Sequence, residues 1–456
     1  MTLGRKSALC FVALDTLSVV VVFNLFAFLR NLGENNGPIL LPLMMPWVAI
    51  GIALYLIDGY KIRTDMVSLD YTSMHTIALL SALLVSLLVT FVVFPRGYPL
   101  QQSRAVIALG FVMMIPVTLS YRRALYLRVS RRRGDRSIVF VGDQASGISF
   151  KAECARAEMS QPIIYATGGS SNTAPFIDVQ DPRVPFTEVL GRVKKGELGV
   201  EAIVLRESNR DLSLEVSQQL VDLYFGGVPT YTLELFHQVY WRKIPIYRLN
   251  QTWLFQEGFP ITREPVFERL KRVSDLILAA FGLTFGAPIF LVAALAVWGD
   301  DRGPVFFRQM RVGKNRRPFQ LYKFRTMRPN TPGNPYAQKG DQRVTRAGKW
   351  LRASRLDELP QLINVLRGEM SLIGPRAEWD RLVESYEQHI PCYHFRHLVR
   401  PGITGWAQVN YPYGAGLDDT VRKLEYDLYY IRHFSFSLDA SIVLKTIHVM
   451  LFGKGR

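Results

Sequence analysis

Apolar residues are gathered into blocks along this chain. Four runs lie in the N-terminal third, at about 8–29, 38–57, 74–94 and 105–121. Each is near the roughly 20 residues that a helix needs to cross a bilayer, so the pattern predicts a bundle of four transmembrane helices within residues 1–130. A fifth run, from about Leu276 to Trp298, is interrupted by Pro288. Between these regions the pattern changes to short apolar segments at Ser137–Gly142, Ile163–Thr167, Ala202–Leu205 and Val228–Leu233, with helical stretches between them. Such alternation predicts a small parallel α/β domain, bounded at 134–250. A linker at 251–266 then leads into a last domain, 267–456.

Charge refines the membrane reading. Lys and Arg favour the cytoplasmic side of a membrane. Arg5, Lys6, Lys61, Arg63 and the basic cluster from Arg122 to Arg133 place both ends of the first four spans inside. The first run is long and lacks a small-residue cleavage site, so it reads as a span and not as a removed leader. Around the fifth run, Arg269, Lys271 and Arg272 precede and Arg302, Arg308, Arg311 and Lys314 follow. Basic flanks on both sides predict a re-entrant helix at about 272–298 that enters, breaks near Pro288 and leaves by the same face. Proline removes an amide donor and crowds the preceding turn. An ordinary fifth span is the alternative.

The net charge of +17 suits nucleic acid, anionic lipid or phosphorylated small molecules. The apolar runs favour the last two over nucleic acid. Cys10, Cys154 and Cys392 are scattered, which excludes a disulfide framework and a cysteine-rich zinc site. His389, His394 and His397 lack matching carboxylate or thiol spacing and read as packing or phosphate contacts. In the α/β domain, Gly142 and Gly147 resemble part of a dinucleotide-binding loop, but the G-x-G-x-x-G pattern is incomplete. The next strand ends in Gly168-Gly169-Ser170, without the acidic residue that a ribose requires. A Rossmann-like fold without a bound cofactor fits better than a dehydrogenase.

The chemistry gathers in the last third. Alternation over Phe319–Met327 predicts an extended segment that directs Lys323 and Arg325 to one face, a spacing suited to phosphate. The alternative is a solvated edge strand. Pro329–Gly340 reads as a mobile loop. Arg343, Arg346, Lys349, Arg352 and Arg355 recur at threes, as on one helix face. Leu359, Leu362, Ile363 and Leu366 give helical periodicity, Pro360 belongs in a first turn, and Gly368 marks the end. The helix is therefore expected to begin at about Asp357, with Asp357 and Glu358 at its amino terminus. Ionised carboxylates there suit a nucleophile or a metal ligand, or simply cap the helix. Arg376 and Arg400 each stand beside a Gly/Pro turn, ready for phosphate oxygens. Cations with acidic metal ligands describe phosphoryl transfer, and Mg²⁺ is the matching ion.

These segments resemble the bacterial sugar transferase family, the monotopic polyprenyl-phosphate hexose-1-phosphate (phosphoglycosyl) transferases. The resemblance rests on Lys271-Arg-Val-Ser-Asp275, Gly303-Pro-Val-Phe-Phe307, Lys323-Phe-Arg-Thr-Met327, Leu356-Asp-Glu-Leu-Pro-Gln-Leu362, Gly374-Pro-Arg376 and Arg400-Pro-Gly-Ile-Thr-Gly-Trp406. It implies an α-rich monotopic catalytic domain in the bacterial inner membrane, facing the cytoplasm, in the large branch that starts exopolysaccharide repeat units. It also implies transfer of sugar 1-phosphate from a UDP-sugar, glucose being the first expectation, to undecaprenyl phosphate with release of UMP. Asp357 would carry the phosphosugar covalently. Glu358 would be a metal partner or proton acceptor, with Mg²⁺ at the pair, and Lys323, Arg325, Arg376 and Arg400 would bind phosphate. A homodimer is compatible with this organisation. Two features depart from the family pattern: Thr326 replaces a frequent Ser, and Ala377 a frequent Pro. A non-enzymatic membrane scaffold or nucleotide sensor, working through the α/β domain, is the competing class; a membrane oxidoreductase is disfavoured by the incomplete glycine pattern.

Overall fold

The computed structural model describes residues 3–30, 39–61, 64–96, 98–133, 136–142, 144–157, 159, 161–167, 184–206, 214–246, 265–328, 341, 343–411, 414 and 416–452. The Gly168-Gly169-Ser170 turn, the Pro329–Gly340 loop and the linker up to residue 264 lie outside them. The chain divides into two compact units, Met1–Trp241 and Arg242–Arg456.

The first unit opens with α1 (Leu3–Leu29), α2 (Met44–Leu56), α3 (Leu69–Leu88) and α4 (Arg104–Arg133). Ser7–Leu29, Asp70–Val93 and Arg104–Val129 are long and apolar enough to cross a membrane. The second expected span is shorter, an apolar stretch of only Leu41–Leu56. Pro42 sits in a 3₁₀ turn ahead of α2 and Pro46 in the helix's first turn, where proline is tolerated. Asp15 of α1 and Arg122 of α4 form a buried ion pair at 2.7 Å. Removing either charge would leave the other unpaired in an apolar interior, a costly state.

The same unit continues with β1 (Ser137–Val141), α5 (Gln144–Arg156), β2 (Ile163–Thr167), β3 (Val184–Pro185), α6 (Phe186–Lys194), β4 (Val200–Leu205), α7 (Leu214–Phe225), β5 (Thr230–Thr232) and α8 (Leu233–Phe236). The strands form one parallel sheet of order β3-β2-β1-β4-β5. Every residue of β1 is buried. Val139 and Val141 join a core with Phe186 and Leu190, whereas Ile138 and Phe140 join another with Phe150 and Phe236. Two-sided burial explains why this strand is uniformly apolar and not alternating.

The second unit contains α9 (Pro265–Asp301), β6 (Phe306–Val312), β7 (Pro318–Phe324), α10 (Arg346–Ser354), α11 (Gln361–Arg367), β8 (Ser371–Ile373), α12 (Asp380–His389), β9 (Gly402–Thr404), α13 (Trp406–Asn410), α14 (Leu417–His433) and α15 (Phe436–Phe452). It starts ahead of the expected linker: Ile244 and Ile246 are buried in its core with Trp406 and Leu428. Trp406 Nε1 donates to the Arg242 carbonyl at 3.0 Å, and the Ile244 amide donates to the Glu425 carbonyl at 3.0 Å.

Helix α9 is helical through Pro288, so the proline does not interrupt the helical run. Before it, Ala279 packs with Phe319, Leu321 and Leu362. After it, Ala293 and Val297 pack with Phe324 and Leu351. Both arms therefore dock on the same unit. Polar bonds fix the ends: Lys271 Nζ meets Asp439 Oδ2 at 2.6 Å, and the Ala347 amide donates to Asp300 at 2.9 Å. Ile277, Phe281, Phe285, Leu291 and Leu295 stay exposed, an apolar face of the kind that marks a membrane contact. Helix α15 is half-buried: Leu438 and Ile442 face the core, while Val443, Met450 and Leu451 are exposed.

Candidate active site

Lys323 lies next to the last residue of β7. Helix α10 begins with Thr345 accepting from the Gly348 amide and ends at Ser354. Arg355 then adopts the left-handed conformation, φ 58°, which in a non-glycine residue costs roughly 1–2 kcal/mol. That reversal starts a 3₁₀ turn, Leu356–Glu358, which carries the acidic pair. The α-helix itself begins only at Gln361. Asp357 and Glu358 thus sit one turn earlier than the periodicity predicts, because Pro360 is the N-cap and has no amide to donate. No side-chain capping bond is made at either helical start, so capping does not account for the pair.

The far end of α11 is pinned to α9. Arg272 donates to the carbonyls of Val365 and Leu366, at 2.5 and 2.8 Å. Arg400 donates to the Gly368 carbonyl at 3.0 Å, where Gly368 ends the helix at φ 83°. These are the orphan carbonyls of a helix terminus. Arg400 is therefore engaged at the end of α11 remote from the acidic pair.

Arg376 is positioned by two loops that run backbone against backbone. The Gly374 amide donates to the Thr404 carbonyl at 2.9 Å, and the Gly402 amide to the Pro375 carbonyl at 2.8 Å. A Cβ on Gly402 would lie 2.1 Å from the Gly374 nitrogen, and one on Gly405 would lie 2.1 Å from the Gly374 oxygen. Only glycine permits this approach, which is why Gly374-Pro-Arg376 and Arg400-Pro-Gly-Ile-Thr-Gly-Trp406 come together despite their separation in sequence. Arg396, itself paired with Asp427 at 2.9 Å, donates to the Arg376 carbonyl at 3.0 Å.

Glu358 is buried, and its Oε1 accepts from Lys323 Nζ at 3.0 Å and from Arg376 Nη1 at 3.3 Å. Burial alone would raise its pKa. Lys323 and Arg376 more than offset that, and hold the carboxyl at about 2. Asp357, half-buried, shifts the other way: burial raises it, the Glu358 charge adds to the rise, and Lys323, Arg352 and Arg376 only partly oppose it. Desolvation lowers the Lys323 pKa, against the attraction of Glu358. The neighbouring carboxyls are thus driven apart, the pattern that assigns them different roles. Asp357 is left open, while Glu358 is clamped.

Arg325 does not join the cluster. Strand β7 ends between it and Lys323, and its buried guanidinium lies against Gly303. The expected basic stripe is also divided: Arg343 precedes α10 and pairs with Asp341 at 2.6 Å, and Arg352 donates to Thr326 Oγ1 at 2.9 Å. His389 donates to the Ser385 carbonyl, and His397 is buried beside Tyr393. Sequence reasoning overlooked Gln361, which lines a pocket with Lys323, Arg376, Arg311, Met370 and Gly402. It stands in the Leu356–Leu362 motif, four residues beyond Asp357, but was given no role there.

Among the described residues no group of three or more His, Cys, Asp or Glu is arranged to hold a metal. The two carboxyls still fit Mg²⁺, which takes one or two protein carboxylates and completes its shell with phosphate oxygens and water. Both cation bonds to Glu358 fall on Oε1, so Oε2 is the oxygen left for a metal ion.

A family profile described as bacterial sugar transferase matches residues 266–453. The chain is 40% identical over 304 residues to a UDP-N-acetylgalactosamine-undecaprenyl-phosphate N-acetylgalactosaminephosphotransferase of Aeromonas hydrophila, covering 64% of this chain and 71% of that protein. It is 44% identical over 208 residues to a UDP-glucose:undecaprenyl-phosphate glucose-1-phosphate transferase of Caulobacter vibrioides, covering 44% of this chain and 77% of the relative. A protein of the same description from Escherichia coli is 45% identical over 184 residues, 39% of each chain. With the acidic pair, its cations and the apolar helices all in that shared frame, this chain belongs to the bacterial sugar transferase family and is a transferase of substituted phosphate groups.

Proposed function

We propose that the protein transfers sugar 1-phosphate from a UDP-sugar to undecaprenyl phosphate, with Asp357 as a covalent nucleophile, as the first membrane step of exopolysaccharide repeat-unit synthesis. The observation that carries this reading is the open Asp357 beside a Glu358 clamped by Lys323 and Arg376. A carboxylate oxygen of Asp357 attacks the β-phosphorus, and the bond from that phosphorus to the bridging oxygen breaks. UMP leaves with the oxygen and the electron pair. An ionised oxygen of undecaprenyl phosphate then attacks the same phosphorus, the bond to Asp357 breaks, and the carboxylate is regenerated with the sugar on a lipid diphosphate. Splitting one displacement in two is nucleophilic catalysis. The Asp357 carboxyl is more basic than an ordinary aspartate, which favours attack. Arg376 and Lys323 are positioned to balance phosphate charge. Mg²⁺, held by Asp357 and Glu358, would supply further charge neutralisation on the diphosphate.

The apolar faces of α9 and α15 support a unit embedded in one leaflet, where a lipid phosphate and a soluble nucleotide meet. We place it on the cytoplasmic side of the inner membrane, with α9 re-entering by the face it leaves. The relatives' names point to UDP-glucose and UDP-N-acetylgalactosamine as the donors to compare first. Membranes holding the protein, given Mg²⁺, undecaprenyl phosphate and each UDP-sugar, should release UMP with one of them. Asp357→Asn should lower that release by at least about 1,000-fold while staying in the membrane fraction. Near-normal release by this variant removes Asp357 from the role.

A further inference from the structure

The α/β domain starts close behind a helix built to cross a bilayer. Helix α4 is long and apolar enough to span as far as Val129, it ends at Arg133, and β1 begins at Ser137. Four helical residues and three more reach no farther than about 17 Å, so the start of β1 is held near the membrane surface. Strand β1 is the middle strand of a parallel sheet. All the strands therefore start at this one edge, and the helices that connect them must run back and end there. Backbone bonds tie the turns to the edge. The Ser137 amide donates to the Gly199 carbonyl in the α6–β4 turn, and the Ile138 amide to the Pro162 carbonyl in the α5–β2 turn, both at 2.9 Å. One strand farther out, the Ile203 amide donates to the Pro229 carbonyl in the α7–β5 turn, also at 2.9 Å.

The side chains on this edge are unusual for a surface in contact with water. Tyr224 and Phe225 close α7 and are 58% and 83% exposed. Arg136, Arg156, Lys194 and Lys195 are exposed on the same edge. Glu197 and Asp222 oppose them, and Asp222 is already paired with Lys194 at 3.5 Å. Cations at helix ends also complement the helix dipole, but that does not account for two bare aromatic rings. Apolar surface left open in this way marks an interaction site. Aromatic rings flanked by Lys and Arg suit the boundary layer of a membrane, where the rings sit among headgroups and the cations meet anionic phosphates.

We infer that this edge of the α/β domain rests on the bilayer, with Tyr224 and Phe225 in the headgroup layer and Arg136, Arg156 and Lys195 on anionic lipid. The tether from α4 and the sign of the charge favour lipid over a second copy of the chain as the occupant. The inference is independent of the reaction proposed above.

The test uses the full-length protein in nanodiscs, in a background without Cys10, Cys154 and Cys392. A fluorescent dye is placed on a single cysteine, at Phe225→Cys or at Leu214→Cys. Leu214 is 78% exposed and lies at the other end of α7. With phosphatidylglycerol and a headgroup spin-labelled lipid in the disc, quenching at 225 should exceed that at 214 by about threefold or more. Replacing phosphatidylglycerol by phosphatidylcholine, or adding Arg156→Glu and Lys195→Glu, should shrink that difference. Equally weak quenching at both sites would overturn the inference. A dye at 225 that is shielded from water but not quenched would overturn it in favour of a second copy of the chain. If the cysteine-free background does not assemble, hydrogen exchange on the unmodified protein gives the same comparison. Amides of 194–199 and 222–228 should then exchange about tenfold more slowly in phosphatidylglycerol than in phosphatidylcholine, and those of 144–150 equally in both. Exchange at 222–228 that ignores the lipid would refute the contact.

Discussion

At the residue scale, the acidic pair has opposite proton affinities built by its neighbours. Asp357 must be ionised to attack, and its pKa is raised. The acid limb of kcat/KM should therefore fall above the ordinary aspartate range, while Glu358, at about 2, adds no limb at working pH. A pH profile of UMP release checks this, and a limb at or below the ordinary aspartate range would contradict it. The same shift acts on stability. A carboxyl whose folded pKa exceeds its unfolded one loses stability as pH rises through the folded value. At pH 7, Asp357→Asn should thus raise Tm while abolishing turnover, measurable by thermal unfolding in detergent. The sequence made the pair, Lys323 and Arg376 legible, because their motifs keep short spacings. It did not reveal that Arg325 lies against Gly303 or that Arg400 holds the Gly368 carbonyl, since an arginine beside a turn looks the same in sequence whatever it contacts.

At the element scale, the site depends on two loops in contact at Gly374, Gly402 and Gly405. Gly402→Ala places a methyl within 2.1 Å of the Gly374 nitrogen, a backbone clash that no rotamer relieves. We expect destabilisation of about 1–3 kcal/mol and a loss in kcat of about 100-fold from displacement of Arg376. Thermal unfolding and UMP assays on the purified variant read both; normal kcat would mean that Arg376 does not need this support. The elements were unevenly legible in sequence. Strand β2 has the bounds that its apolar run suggests, Ile163–Thr167, because a strand buried on both faces has sharp hydrophobic edges. The α11 start was misread by one turn, since a 3₁₀ segment and an α-helix share the same apolar spacing over so short a stretch.

At the scale of the molecule, the membrane course of α9 is the central issue. Its two arms hold the same unit on either side of Pro288. Single cysteines at Arg269 and Arg302, in a background without Cys10, Cys154 and Cys392, should both be blocked by an impermeant thiol reagent only from the cytoplasmic side. Labelling from opposite sides would make α9 a span. The apolar runs foretold this helix and most of the N-terminal bundle, but hydropathy alone reads length and cannot tell a crossing from a docked, lipid-facing helix.

The five residues Arg242–Ile246 have a practical corollary. Ile244 and Ile246 fill the core beneath Trp406, yet they lie more than a dozen positions ahead of the stretch that the family profile covers. A gene trimmed to that stretch would discard two anchoring side chains, worth about 1.5–3 kcal/mol each, and open a greasy trench under the indole. Engineers seeking the smallest working piece should cut upstream of Arg242.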